Sequence, residues 1–301
     1  MKNPLFSGAD PFILHHEGKY YIYPTTQSDE DAEKNDFYLT GGNEVVDGIM
    51  VHVSDDLVNW ECKGFALKNT DVMGDKWFWA PEVTVKDGKF YMAYSSEEHM
   101  AVAVADSPLG PFKQENKRWL SERRGIDGHI LIDDDGQVYF YYVRIDNGNQ
   151  IHVAKMSEDL LSIDESTEKL LITAEEPWET VDCRVAEGPF VLKHNGLYYL
   201  TYSANHTRCQ DYAVGYAVSE SPWGPFVKYE NNPILHRTED VVGTGHHSFE
   251  CFDDGRILCS YHCHSSKESF LPRKVCLDWA RFEKDPNGGI DVLVIDGPTK
   301  D

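Results

Sequence analysis

The chain has 301 residues, with 51 Asp and Glu against 28 Lys and Arg, a formal net charge of −23. So acidic a chain, with no basic patch along it, repels polyanions, which argues against nucleic acid or an anionic membrane as partner and for a neutral ligand. A hydrophobic fraction of 41 % with 12 % aromatics is globular, and no apolar run approaches the ~18 residues of a membrane span, so a soluble protein is expected.

Taken in chain order, the sequence repeats one pattern five times: an apolar strand, a turn with glycine, a second apolar strand, a loop and usually a third strand. The first unit opens at Asp10-Pro-Phe-Ile-Leu, turns at Gly18, and after an acidic insertion over 27–48 reaches Ile49–Ser54. The second opens at Ala80-Pro-Glu-Val just after Trp77-Phe78-Trp79, turns at Gly88 and continues in Met100–Ala105. The third opens at Asp127-Gly-His-Ile-Leu, turns at Gly136 and continues in Ile151–Met156. The fourth opens at Glu187-Gly-Pro-Phe-Val, turns at Gly196 and continues in Ala213–Val218. The fifth opens at Gly245-His-His-Ser-Phe and turns at Gly255.

Units starting near 10, 80, 127, 187 and 246 are spaced at or above the length of a propeller repeat. Short strands with Asp-Gly, Asn-Gly and Pro-Gly punctuation are a β-meander signature, and helical periodicity between them is scarce. The predicted fold is all-β, a five-bladed β-propeller, with a single domain over 1–301 because no Pro/Ser/Gly-rich linker interrupts the repeats. Seven cysteines, at 62, 183, 209, 251, 259, 263 and 276, are odd in number and form no Cys-x-x-Cys pair, the pattern of free thiols in a reducing compartment. Met1-Lys-Asn-Pro leads into no apolar signal segment, so a cytoplasmic location is expected of the sequence as it stands.

In a propeller blade the first strand lines the axis, which brings the unit openings into a ring: Asp10, Ala80 with Glu82, Asp127, Glu187, and His246 with His247. Strand alternation puts the glycine turns on the far face and the loops 27–48, 95–99, 145–149, 203–212 and 263–273 on the ring's face. Asp36, Phe37, Arg144, His206, Arg208, His264 and Arg273 are thereby expected around one opening. A lone carboxylate beside Pro or Gly usually caps a turn. Three of them converging on an axis cost free energy and raise one another's pKa, which points to chemistry. Three carboxylates without a metal cage suit glycoside hydrolysis, one group protonating the leaving oxygen and another activating water or attacking. Phosphate loops, GxSxG elbows and HExxH motifs are missing from the sequence.

In Ala-Asp-Pro at 9–11, Trp-Ala-Pro-Glu at 79–82, Ile-Asp-Gly-His at 126–129, Glu-Gly-Pro-Phe at 187–190 and Gly-Thr-Gly-His-His-Ser at 243–248, the chain resembles glycoside hydrolase family 43. Each motif is weak alone; their order and spacing over nearly the whole chain are specific. The resemblance implies an inverting hydrolase with Asp10 as general base, Glu187 as general acid and Asp127 as the carboxylate that orients Glu187 and adjusts its pKa. It implies substrate contacts from Trp79, with Trp77 and Phe78 as further platform candidates, from Arg273 to sugar hydroxyls, and from His246. Phe37, on the insertion, is expected to border the pocket.

No cofactor is required by the resemblance, which allows a structural calcium at the axis near His246. Imidazole is a poor calcium ligand, so that contact is expected through water. No C-terminal β-sandwich is expected. The partner is a neutral oligosaccharide or polysaccharide end, with α-L-arabinofuranosyl as first choice and β-D-xylosyl or β-D-galactofuranosyl as alternatives. Retaining or phosphorolytic five-bladed relatives are closer rivals than a non-catalytic sugar-binding propeller. Lectin propellers tend to repeat one constellation in every blade, whereas these openings differ.

Overall fold

Glu17-Gly18, Asp87-Gly88 and Asn195-Gly196 all adopt positive φ at both positions, the conformation of two-residue turns whose twist matches the strands they join. They close the first hairpins of three blades. The computed structural model describes residues 2–25, 47–285 and 288–300, and Asp36 and Phe37 lie outside them.

The first blade is formed by β1 (Ala9–His16), β2 (Lys19–Thr25), β3 (Gly48–Ser54) and β4 (Glu61–Lys68). The second has β5 (Trp79–Lys86), β6 (Lys89–Ser96) and β7 (His99–Ala105). The third has β8 (Gly125–Ile132), β9 (Val138–Ile145), β10 (Asn149–Met156) and β11 (Ile163–Thr173). The fourth has β12 (Ala186–His194), β13 (Leu197–Ala204), β14 (Ala213–Ser219) and β15 (Val227–Lys228). The fifth has β16 (Gly245–Cys251), β17 (Ile257–Cys263), β18 (Lys274–Glu283) and β19 (Val292–Ile295). Every blade is an antiparallel meander in sequence order. The predicted five-bladed propeller is the observed fold. The sequence reading did not resolve the outer strands β4, β11, β15 and β19. In the second blade the segment 112–120 takes that place, with Lys113 exchanging both backbone hydrogen bonds with Val104.

Alternate residues of each blade face opposite neighbours, so the core is five inter-blade layers rather than one central core. On β9, Phe140 and Tyr142 pack toward the second blade while Tyr141 and Val143 pack toward the fourth. On β13, Tyr198, Leu200 and Tyr202 face the third blade and Tyr199 faces the fifth. These tyrosines each remove roughly 150–250 Å² from water. Their hydroxyls find backbone or carboxylate acceptors, as Tyr141 does with Pro222 O at 2.6 Å and Tyr199 with Asp291 O at 2.7 Å.

The smallest layer joins the first and fifth blades through Ile13, Ile22, Leu258, Val275 and Leu277. Hydrogen bonds supplement it there. Leu5 N donates to Val275 O at 2.8 Å, Val275 N to Phe6 O at 3.0 Å and Gly8 N to Arg273 O at 3.0 Å, so the N-terminal segment continues the outer edge of the fifth blade. This closure seats Arg273 close to the start of β1.

Candidate active site

Each innermost strand begins with a bulge, between Ala9 and Phe12, Trp79 and Glu82, Ile126 and His129, Glu187 and Phe190, and Gly245 and Ser248. The residue after the last pair before the bulge is left-handed in every blade: Asp10 (φ 45°), Ala80 (41°), Asp127 (58°), Gly188 (57°) and His246 (47°). Such backbone costs an ordinary residue free energy, and side chains held this way cluster at functional sites.

These bulges correct the expected alignment. Gly188, not Glu187, is the equivalent of Asp10 and Asp127, and Glu187 stands one residue earlier, level with Ala9, Trp79, Ile126 and Gly245. Glycine takes the strained position in the fourth blade without a Cβ penalty, and the acid moves to its neighbour.

A pocket of about 530 Å³ opens over this ring, within the usual size of ligand pockets. Asp10, Asp127, Glu187, Trp79, His246 and Arg273 all line it, as expected, and so do His206 and Arg208. Other expectations fail, for Arg144 because of strand parity and for Glu82 and His247 because of their depth along the axis. Arg144 shares the face of Tyr142 and is fully buried, bonded to Glu168 Oε2 through Nη2 at 2.7 Å. His264 is buried, its Nε2 2.8 Å from Thr207 O. Glu82 and His247 lie deeper along the axis in a narrow channel with Pro11, Pro81, Gly128 and Pro189. There Glu82 Oε1 is 2.7 Å from His129 Nδ1, and His247 Nε2 is 2.6 Å from Thr201 Oγ1.

Of the three neighbouring aromatics, Phe78 is buried in the core. Trp77 is 38 % exposed and stacks on Trp79 at 6.0 Å and 9°, which extends the apolar rim outward.

Asp10 is buried and surrounded by nitrogen. Arg273 Nη1 donates to its Oδ1 at 2.9 Å, and His246 Nδ1 lies 3.4 Å away. His262 Nδ1 sits 3.2 Å from the Asp10 N–H and 3.1 Å from Oδ1. As acceptor of that N–H the nitrogen is unprotonated, a tautomer assigned from the network, and Nε2 then donates to Thr207 Oγ1 at 3.1 Å. Burial opposes ionisation of Asp10, yet the Arg273 guanidinium outweighs it and holds the carboxyl well below the usual range. Arg273 is the decisive partner, because burial keeps the imidazoles neutral, pushing His262 down to about 3 and also lowering His246.

Among the described residues no cation contacts Glu187. Burial, with a smaller push from Asp10, raises it to about 7 despite two hydrogen bonds that favour the anion: Tyr212 Oη to Oε1 at 2.9 Å and Asn149 Nδ2 to Oε2 at 2.8 Å. Asp127 is also raised well above its ordinary value, by burial first and then by Glu187 and Asp10. One donor opposes that rise, the Gly188 N–H at 3.1 Å from Oδ2.

Asn149, Tyr212, Thr207, His262 and Phe270 were not singled out from sequence. Asn149, Tyr212, Thr207 and Phe270 lie on or at the ends of the near-side loops, which was the available signal; His262 is on β17 and gave none.

The described residues supply no protein cage for calcium at this site. Among the described residues no group of three or more His, Cys, Asp or Glu is arranged to hold a metal. His246 stands against Asp10, and Glu82 of the deeper channel is bonded to His129, whereas calcium takes six to eight oxygens.

A propeller whose axial pocket gathers three buried carboxyls, one lowered by an arginine and two raised by burial, has the architecture and chemistry of a glycoside hydrolase. A family model described as glycosyl hydrolases family 43 matches residues 1–287, and the chain belongs to that family. It is 30 % identical to xylosidase/arabinosidase 43A of Humicola insolens, over 92 % of this chain and 94 % of that protein. It is likewise 30 % identical to a beta-xylosidase of Xylanibacter ruminicola, over 95 % and 96 %. A crystal structure of an endo-1,4-beta-xylanase from Bacteroides thetaiotaomicron superposes with a TM-score of 0.86 at 40 % identity, covering 99 % of this chain and 97 % of that one. The protein is therefore a glycoside hydrolase, and its substrates are carbohydrates.

Proposed function

We propose that this hydrolase removes terminal α-L-arabinofuranosyl units from oligosaccharide or polysaccharide ends, with inversion. Asp10 takes the proton of the attacking water, Glu187 protonates the departing oxygen, and Asp127 orients Glu187 and tunes its proton affinity. The observation that carries this reading is the opposite setting of two carboxyls across one pocket: Asp10 held toward its ionised form by Arg273 in contact, Glu187 raised to about 7 with no described cation in contact. Acid and base with separated pKa values are what single-displacement hydrolysis requires.

Trp79, backed by Trp77, offers a flat apolar face suited to a sugar ring, and Arg273, His246 and Phe37 are read as further substrate contacts. A β-D-xylosyl unit is the second reading, favoured by the equal similarity to a named beta-xylosidase.

The test is the initial rate on aryl α-L-arabinofuranoside, β-D-xyloside and β-D-galactofuranoside of high leaving-group pKa, with Glu187→Gln as the control for contaminating enzyme. A dominant Glu187-dependent rate on the arabinofuranoside supports the first reading, and one on the xyloside replaces it with the second. No rate on any of them overturns both. Proton NMR of the first-formed anomer checks inversion. Steady release of monosaccharide from arabinan without intermediate oligomers supports exo-action, and early mid-chain cuts refute it.

A further inference from the structure

Neighbouring blades are tied by a hydrogen bond repeated around the ring. In each case the left-handed residue opening one blade donates its N–H to a side chain on the second strand of the blade before. Ala80 N donates to Thr25 Oγ1 at 2.8 Å, Asp127 N to Ser95 Oγ at 3.0 Å, His246 N to Ser203 Oγ at 2.8 Å and Asp10 N to His262 Nδ1 at 3.2 Å. The acceptors occupy equivalent positions, since Thr25, Ser95, Ser203 and His262 pair across their hairpins with Ala9, Trp79, Glu187 and Gly245.

The fifth member of this set is Val143, paired with Ile126 and facing the fourth blade in one cluster with Ile151 and Ala186. Valine accepts nothing. The N–H that would have bonded it, that of Gly188, donates instead to Asp127 Oδ2 at 3.1 Å. A buried N–H must find an acceptor, so the identity of residue 143 decides which acceptor this one takes.

We propose that Val143 is a positioning residue: by withholding an acceptor at the single junction where the ring pattern is broken, it reserves the Gly188 N–H for Asp127. The inference rests on the reading of Asp127 and Glu187 given above. The groups facing Asp127 are Glu187 on β12, Asp10 on β1, His246 on β16, Arg273 ahead of β18 and Tyr212 before β14. Asp10 and Glu187 repel its charge, Arg273 favours it from a greater distance, and the Gly188 N–H is the donor in direct contact with its carboxylate oxygen. Without that donor Asp127 holds the proton of the coupled pair more tightly, and Glu187 is left ionised at a lower pH.

The decisive variants are Val143→Thr, near in shape and carrying the acceptor, and Val143→Ala, which loosens packing without offering one. Thr25 at the same place in the first blade shows that threonine fits. In protein labelled with ¹⁵N-glycine, the Gly188 amide proton is expected to follow the titration of Asp127 in wild type and Val143→Ala, and to stop following it in Val143→Thr. On glycosides whose leaving group needs protonation, the basic limb of kcat/KM should move to lower pH in Val143→Thr alone, with roughly a tenfold fall at pH 7, the size of one lost hydrogen bond to a charged group. A Gly188 amide that tracks Asp127 equally in all three proteins, or a basic limb shifted equally by threonine and alanine, overturns the proposal. If Glu187→Gln retains the wild-type basic limb, the acid assignment fails, and the amide experiment still decides the hydrogen bond.

Discussion

Two blade junctions on opposite sides of one pocket bury carboxyls to a similar depth and treat them in opposite ways. At the junction of the first and fifth blades, Asp10 meets Arg273 at 2.9 Å and is held ionised. At the junction of the third and fourth, the described partners of Asp127 and Glu187 are each other, two neutral side-chain donors and one backbone N–H, and both carboxyls are raised toward the protonated form. Burial alone would raise all three. One guanidinium, brought in by the N-terminal segment that closes the ring, makes the difference between a base and an acid.

The strongest way to break this contrast is to remove the titrating atoms. Glu187→Gln is expected to lower kcat/KM by about 10²–10⁴ on glycosides with poor leaving groups and much less on aryl glycosides of low leaving-group pKa, which depart unassisted. Equal losses on both would refute the assignment. Asp10→Asn should abolish turnover on either substrate, and added azide should restore it as a glycosyl azide of inverted configuration.

Next in size is the cation. Arg273→Met removes the partner that keeps Asp10 ionised, so the carboxyl climbs and its ionised fraction is lost at a higher pH than in wild type. The acid limb of kcat/KM should therefore move upward, with a fall of about tenfold or more near neutrality. An unmoved acid limb would show that Asp10 is not the group behind it. In wild type the other limb follows Glu187: its pKa is raised to about 7, the protonated form is complete below that value, and activity should fall as pH rises through it. Glu187→Gln should erase that limb.

The blades themselves were legible because each innermost strand is apolar and each first hairpin carries a glycine eight or nine residues after the blade starts near 10, 80, 127, 187 and 246, and the ring followed from placing the first strand at the axis. The phase of the fourth blade was not. Glu187-Gly188-Pro189 reads like Asp10-Pro11 with one residue inserted, and only the bulge and the positive φ of Gly188 reveal which residue fills the strained position. Arg144 sits beside a near-side loop in sequence, yet its register opposite Gly125 turns it into the blade toward Glu168. Tyr212 and Asn149 carry no motif; their value comes from two loops of different blades meeting over one carboxylate, information that local sequence does not contain.

Those two residues supply the smallest and sharpest test. Both donate to Glu187 and both favour its anion, so removing either should raise the pKa of Glu187 and carry the basic limb to higher pH, the reverse of the shift expected from Val143→Thr. Tyr212→Phe is the cleaner change because the ring that stacks on His262 at 5.5 Å and 13° is retained. A shift of a fraction of a pH unit with a several-fold change in rate is expected, since one neutral donor is lost and the pocket keeps its shape. If the limb moved downward instead, Tyr212 would be acting through His262 on Asp10 rather than on Glu187, and the separation of the two junctions would be less complete than their geometry implies.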